Sequence, residues 1–252
     1  MTERPYLQAV VFDAGGTLVR LDFEWLSAML AGLGVAAPVA ALCRAEVRGR
    51  RMYDLAMRSP RLLAMAPAFS PLGSKAPTEA YFAGMLEAAG CRHPVLEEAL
   101  ARMFEKATPP SLLWGRAAEG ARAMLDALPA LGLRACCVSN SDGRAEQHLV
   151  TCGVRDGLEF VVDSHVVGIE KPDPRIFGIA LERLGVEPHR AVYVGDIRSV
   201  DEVGAAAAGM PFVLIDPDSD YGDPGAYRVA SIAELPAYLG AHFLTPAMHG
   251  KL

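Results

Sequence analysis

The sequence predicts an α/β protein: a Rossmann-like parallel sheet with helices on both faces, plus a smaller α-helical cap domain. Three observations carry that prediction. Short apolar runs recur along the chain, and each stops at a polar loop. Helical stretches separate most of these runs, and one long segment near the N-terminus shows helical patterning with no convincing strand. A continuous apolar run reads as a strand buried on both faces, and strand alternating with helix gives a parallel sheet. The 252 residues suit one domain with a sizeable insertion or two small domains, and an apolar fraction of 52% supplies a real core.

Taken in order, Leu7–Phe12 is the first strand and ends at Asp13-Ala14-Gly15-Gly16-Thr17. From Leu21 to about Pro109 only helices are predicted, over Phe23–Leu33, Pro38–Met57, Pro77–Ala89 and Pro94–Lys106. Between the second and third of these, Ser59–Lys75 is interrupted by prolines and reads as a loop or bent connection. A crossover between parallel strands needs only about a dozen residues. This segment is several times longer, so 21–108 is assigned to a helical cap, and 1–20 with 109–252 to the catalytic core. The core then resumes with a helix over Arg116–Leu131 and a strand over Leu133–Val138. The remaining helices are Asp142–Cys152, Asp173–Leu184 and Ser199–Ala208, and the remaining strands Phe160–Val162, Ala191–Val194 and Phe212–Ile215. His242–Leu252 reads as a tail without a role.

Composition narrows the class. A net charge of -6 with mixed signs argues against a nucleic-acid or membrane-surface binder, which needs a positive footprint. No apolar run approaches the roughly 20 residues of a membrane helix. The first strand begins too early to leave room for a signal peptide. Five cysteines, an odd count without paired spacing, fit reduced thiols in a cytoplasmic enzyme. Cys136 and Cys137 lie in an apolar run and read as small core residues.

Ligands of such sheets sit at the carboxyl ends of the strands, beside a switch in strand order, and the polar residues collect there. Asp13 ends the first strand in a glycine-rich turn closed by Thr17. A carboxylate so placed can act as a nucleophile, dividing one hard step into two through a covalent intermediate. Gly15 and Gly16 let the backbone approach a ligand or metal closely. At the end of the second core strand, the Ser139 hydroxyl and Asn140 amide can hold an anionic oxygen, although the pair fits a helix N-cap equally well. Lys171, one of four lysines in the chain, lies in the proline-stiffened segment Gly168–Pro174. A lysine there can set a compact charge on a phosphoryl group. Asp196 ends the fourth strand and Asp201 follows near a helix start. Asp13, Asp196 and Asp201 facing one another would repel and raise each other's pKa. A hard divalent cation resolves that conflict, and Mg²⁺ prefers oxygen ligands. The acids imply the metal.

With these residues in this order, the chain resembles the haloacid dehalogenase-like hydrolase superfamily. Val10–Leu18, reading Val-Val-Phe-Asp-Ala-Gly-Gly-Thr-Leu, looks like its first motif, with Asp13 as the nucleophile. Ser139 matches the second motif, Lys171 the third, and Val194–Asp201 the fourth, the metal-binding motif of the phosphatase branch. The resemblance runs from Leu7 to Ile215, with the helical cap in the family's usual slot. It implies Mg²⁺ held by Asp13, Asp196 and the backbone carbonyl of Gly15, with Asp201 assisting through the metal's surroundings. It makes Asp13 and Lys171 the catalytic pair, and Thr17, Ser139, Asn140 and Lys171 the substrate-binding set.

One departure matters. Phosphatases of this superfamily usually carry a second aspartate two residues after the nucleophile, which protonates the leaving group and then activates water. Here that position is Gly15. Losing a general acid–base costs about 10²–10⁴ in rate. Either the cap supplies the acid, from Glu24, Glu46 or Asp54, or the leaving group is a good one, as in an acyl phosphate or phosphoanhydride, or the reaction differs. Phosphonate-cleaving relatives use a cap lysine, yet no lysine precedes Lys75. The 2-haloacid dehalogenases use the same nucleophile without a metal and carry a substrate-binding arginine early in the cap. Arg44 lies there, among Arg48, Arg50, Arg51 and Arg58. Three metal-free carboxylates would repel an anionic haloacid. The expected function is therefore a Mg²⁺-dependent phosphohydrolase of a small phosphorylated metabolite, working through an aspartyl-phosphate. The alternatives are a 2-haloacid dehalogenase and a catalytically weak member that binds a ligand or partner.

Overall fold

The computed structural model describes residues 4–59, 75–217, 219, 221 and 227–249. Two compact units result, one formed by 1–20 with 116–252 and the other by 21–115.

The first unit is an α/β layer structure around a six-stranded sheet. Its strands are β1 (Ala9–Phe12), β4 (Arg134–Ser139), β5 (Val161–Asp163), β6 (Ala191–Gly195), β7 (Phe212–Ile215) and β8 (Tyr227–Val229), in the order β5-β4-β1-β6-β7-β8. Every pairing in it is parallel. The chain therefore steps outward from β1 through β4 to β5, then returns across β1 to build β6, β7 and β8. That reversal is the switch point at which such sheets bind ligands. Register aligns the strand ends around it, because Phe12 lies opposite both Cys137 and Val194.

The uninterrupted apolar runs follow from burial on both faces. Ala9, Val11, Cys136, Val138, Tyr193 and Leu214 join one core cluster with Ile176, Phe177, Ala180 and Leu181 of the helix Pro174–Leu184. The alternate residues Val10, Phe12, Cys137, Val192 and Val194 are equally inaccessible on the opposite face. Cys136 and Cys137 thus pack as core residues, and burial pushes the Cys136 thiol up to about 12.

Three local differences from the sequence reading have physical causes. Arg116–Ala117, expected to open a helix, forms instead a two-residue strand (β3) antiparallel to β2 (Val19–Arg20). The helix begins only at Ala121 and gives way at Leu128 to a 3₁₀ turn with Pro129 in its first positions. The strand Tyr227–Val229 was not anticipated. The tail is docked rather than idle: Leu7 N donates to Leu244 O at 2.8 Å, Leu244 N donates to Pro5 O at 2.8 Å, and Phe243 is fully buried.

The second unit contains α1 (Phe23–Gly32), α2 (Val39–Arg58), α3 (Lys75–Ala88) and α4 (Val95–Ala107). Asp22 caps α1, its carboxylate accepting from Trp25 N at 3.1 Å. The core of this unit gathers Leu26, Leu30, Leu42, Phe82, Met85 and Met103. Phe82 packs against Phe104 and Trp114 at centroid distances of 5.4 and 5.8 Å. The unit runs past the expected end at 108, since Leu113 is fully buried in this core and its carbonyl accepts from Asp22 N at 2.9 Å. The expected connection over Ser59–Lys75 lies, apart from its two ends, outside the described residues. Among the described residues no helix is long and apolar enough to cross a membrane.

Candidate active site

Ser139 ends a parallel strand, and Asp13 and Asp196 directly follow two others. Asp13 follows β1, and its backbone N–H still donates to Val194 O of β6 at 2.8 Å, so the sheet itself fixes the start of the loop. The chain then turns back. Leu18 N and Val19 N both donate to Ala14 O at 2.9 Å, and Gly16 N donates to Val19 O at 2.7 Å. Gly16 has φ +80°, and a β-carbon there would lie 2.1 Å from Asp196 Oδ2, so this position admits only glycine. Gly15, by contrast, does not adopt a left-handed φ. Thr17 is buried, and its hydroxyl has no hydrogen-bond partner in the described structure.

Lys171 lies at the centre. Its ammonium donates to Asp13 Oδ1 at 2.6 Å, Asp201 Oδ1 at 2.8 Å and the Tyr193 hydroxyl at 2.9 Å, and the side chain is almost wholly buried. Asp201 spends its other oxygen on the backbone, with Oδ2 accepting from Asp196 N at 3.1 Å and Ile197 N at 3.0 Å. That grip sets the turn carrying Asp196, and Gly195 permits it, because a β-carbon at 195 would stand 2.4 Å from Asp201 Oδ2. Asp201 itself sits in a π-helical turn over Arg198–Glu202.

The Asn140 side chain is clamped to the lysine loop. Lys171 N donates to Asn140 Oδ1 at 2.8 Å, and Asn140 Nδ2 donates back to Lys171 O at 3.0 Å. Its amide oxygen and one amide hydrogen therefore position Lys171, leaving a single hydrogen for any anion. Ser139 is buried at the end of β4, opposite Asp163 in register. Asp163 was not singled out from the sequence, yet it builds the adjoining loop. Its carboxylate accepts from Gly143 N at 3.2 Å, Ala145 N at 3.0 Å and His165 N at 2.9 Å.

Electrostatics follow from this packing. Asp13, Asp196 and Asp201 are all buried, and each offers a carboxylate oxygen within 4.8 Å of the others. Lys171 lies between Asp13 and Asp201 as a buried counter-charge. Burial pushes the Asp13 carboxyl up to about 6, Lys171 works against that rise, and the Asp201 charge adds to it. Burial alone would depress Lys171, but the carboxylates of Asp13 and Asp201 outweigh it and hold the ammonium above its ordinary value. Burial, reinforced by Asp201 and Asp13, keeps the Tyr193 phenol well above its usual range and so neutral. Tyr193 is the other residue that sequence reasoning missed, hidden in an apolar strand. Its only signal was a polar atom inside a run that must be buried on both faces.

The acids considered for the missing general acid lie in the second unit. Glu46 is buried and accepts from the Tyr81 hydroxyl at 2.5 Å and from Arg50 Nη2 at 3.1 Å. Asp54 is buried, whereas Glu24 and Arg44 are exposed.

Comparison with known proteins agrees with this architecture. Residues 7–209 match the haloacid dehalogenase-like hydrolase family. "Haloacid dehalogenase-like hydrolase domain-containing protein 3" of Mus musculus is 44% identical over 97 residues, covering 38% of this chain and 39% of that protein. A phosphoglycolate phosphatase of Rhodospirillum rubrum is 36% identical over 117 residues, 46% of this chain and 48% of its own length. The matched stretch is thus less than half of either relative. Among solved structures, a phosphatase from Thermococcus onnurineus superposes with a TM-score of 0.56 at 22% identity, over 95% of this chain and 100% of that one, and so shares the fold.

Proposed function

The chain belongs to the haloacid dehalogenase-like hydrolase family, and from that premise we propose that it is a Mg²⁺-dependent phosphohydrolase of small phosphorylated metabolites with Asp13 as its nucleophile. The observation that carries this reading is the buried bridge of Lys171 to Asp13 at 2.6 Å and to Asp201 at 2.8 Å, with Asp196 beside them. Three buried carboxylates whose oxygens converge favour a bound cation. The donor set is all oxygen, which suits Mg²⁺. Asp13, Asp196 and the Gly15 carbonyl would hold the ion, and Asp201 would support it through the Asp196 turn. Once bound, Mg²⁺ supplies Lewis-acid neutralisation of phosphoryl oxygens.

The rest of the chemistry belongs to the chain. Lys171 grips Asp13 Oδ1, so attack falls to the other carboxylate oxygen. That oxygen bonds to phosphorus as the bond to the leaving oxygen breaks, giving an aspartyl-phosphate. Water then attacks phosphorus, orthophosphate departs, and the Asp13 carboxylate is restored. Lys171, Ser139 and the unpartnered Thr17 hydroxyl stabilise the phosphoryl group, while Asn140 keeps Lys171 in place. The helical unit 21–115 acts as the cap.

Gly15 brings no proton to the leaving group. We therefore take the substrates to be those whose leaving oxygen departs as a stable anion, such as acyl phosphates and phosphoanhydrides. The hydrogen bonds that Tyr81 and Arg50 give to Glu46 support this choice over an acid lent by that residue. The same gathered carboxylates disfavour an anionic haloacid substrate. The absence of any disulfide among the five cysteines supports a cytoplasmic setting.

The test is phosphate release from a panel of phosphorylated metabolites, with Mg²⁺, with chelator, and with the Asp13→Asn variant. Metal-dependent release that disappears in the variant is expected. Turnover of haloacids with no phosphate release, or full activity in a folded Asp13→Asn protein, would sink the reading.

A further inference from the structure

Lys171 carries three ammonium hydrogens, and three acceptors meet it. Two are the carboxylates of Asp13 and Asp201. The third, the Tyr193 hydroxyl at 2.9 Å, takes no part in the chemistry above. A strand buried on both faces asks only for apolar side chains, and a phenol there must bury its hydroxyl at a cost unless partners satisfy it. Tyr193 has them. Its single proton goes to Val138 O at 3.0 Å, which turns a lone pair toward Lys171 Nζ. Val138 lies in β4 and Tyr193 in β6, the two strands that flank β1, whose end carries Asp13. The ring is equally fixed. Phe177 packs edge-on at a centroid distance of 4.9 Å, Phe212 stacks at 6.4 Å, and Tyr193 is fully buried.

We propose that Tyr193 is a positioning residue, its hydroxyl the rigid third acceptor that holds the Lys171 ammonium between Asp13 and Asp201 and so fixes the aim of the nucleophile. The assignment rests on Asp13 being that nucleophile. Asp13 belongs to a loop and Asp201 to a one-turn π-helix, whereas the hydroxyl is tied to the sheet. Without it, one ammonium hydrogen faces a void in a buried site. The lysine then shifts toward one carboxylate or recruits water.

Tyr193→Phe tests this directly, because it keeps the ring and its packing while deleting the acceptor. Two readouts are needed. One is steady-state kinetics on the best phosphorylated substrate: kcat is expected to fall about 10- to 100-fold, with KM within about twofold. The other is the side-chain ammonium resonance of Lys171 in protein labelled with [¹⁵N]lysine, where only four lysines contribute. A protected resonance is expected in the parent protein and should shift or vanish into solvent exchange in the variant. An unchanged resonance overturns the proposal whatever kcat does. A changed resonance with unchanged kcat overturns its catalytic part. If the parent protein releases phosphate from no substrate, the functional reading fails by itself, and the resonance still decides whether Tyr193 fixes Lys171.

Discussion

The backbone of Gly16 presses against the carboxylate of Asp196, so closely that a β-carbon at 16 would stand 2.1 Å from Oδ2. Two loops from neighbouring strands, β1 and β6, are thereby fitted to one another before any ligand arrives. Gly16→Ala places a methyl group inside that contact, at φ +80°. The left-handed backbone costs about 1–2 kcal/mol for a residue with a side chain, and Asp196 must move as well. Activity is expected to fall at least about 100-fold, as for a displaced catalytic group, with a lowered melting temperature. Parallel kinetics and thermal unfolding check this, and wild-type turnover in Gly16→Ala would show that Asp196 has no fixed role.

Acidity should govern the metal. Asp13 has its carboxyl raised from 3.8 to about 6 by burial, partly offset by Lys171. A group whose folded pKa is raised favours the fold below its unfolded value, and that contribution disappears as pH rises through the folded value. In the metal-free protein the Asp13 contribution is thus complete below about 3.8 and lost by the time pH passes about 6. Metal and proton compete for the same oxygen. Mg²⁺ should therefore raise the melting temperature clearly at pH 7.5 and much less at pH 5, with chelator reversing the effect. Equal stabilisation at both values would contradict a site that includes Asp13.

How much of this was legible depends on whether a residue's task is local. The strands Ala191–Gly195 and Phe212–Ile215 announce themselves because burial on both faces demands unbroken apolar runs. Asp13 and Asp196 stand out because each follows such a run, Asp201 because it lies near the next helix start, and Lys171 because it is a rare lysine in a proline-stiffened segment; the fold brings them into one buried cluster. What stayed hidden depends on partners distant in sequence. Arg116–Ala117 is extended only because Val19–Arg20 pairs with it. Asn140 looks like an anion holder until Lys171, 31 residues on, takes up both ends of its amide. Tyr193 reads as core until the lysine arrives at its hydroxyl. Tyr227–Val229 is short and completes the sheet edge only through β7.

Gly15 offers the sharpest test of mechanism, because its backbone does not need to be glycine. It lacks the left-handed φ that Gly16 requires, so an aspartate there escapes the backbone strain that burdens Gly16→Ala. A carboxyl two residues beyond the nucleophile would protonate the leaving oxygen and then deprotonate the attacking water. The benefit must depend on the leaving group. Where the leaving oxygen is already a stable anion, proton donation contributes little; where it is an alkoxide, proton donation contributes up to about 10²–10⁴ in rate. Gly15→Asp is accordingly expected to leave acyl phosphate hydrolysis nearly unchanged while accelerating alkyl phosphate hydrolysis. Across a series of aryl phosphates, the plot of log kcat/KM against leaving-group pKa should be steep for the parent protein and flatter for the variant. A parent protein that already shows a shallow slope would mean that another acid reaches the leaving group. The assignment of good leaving groups to this enzyme would then be withdrawn, while Asp13 would keep its place as the nucleophile.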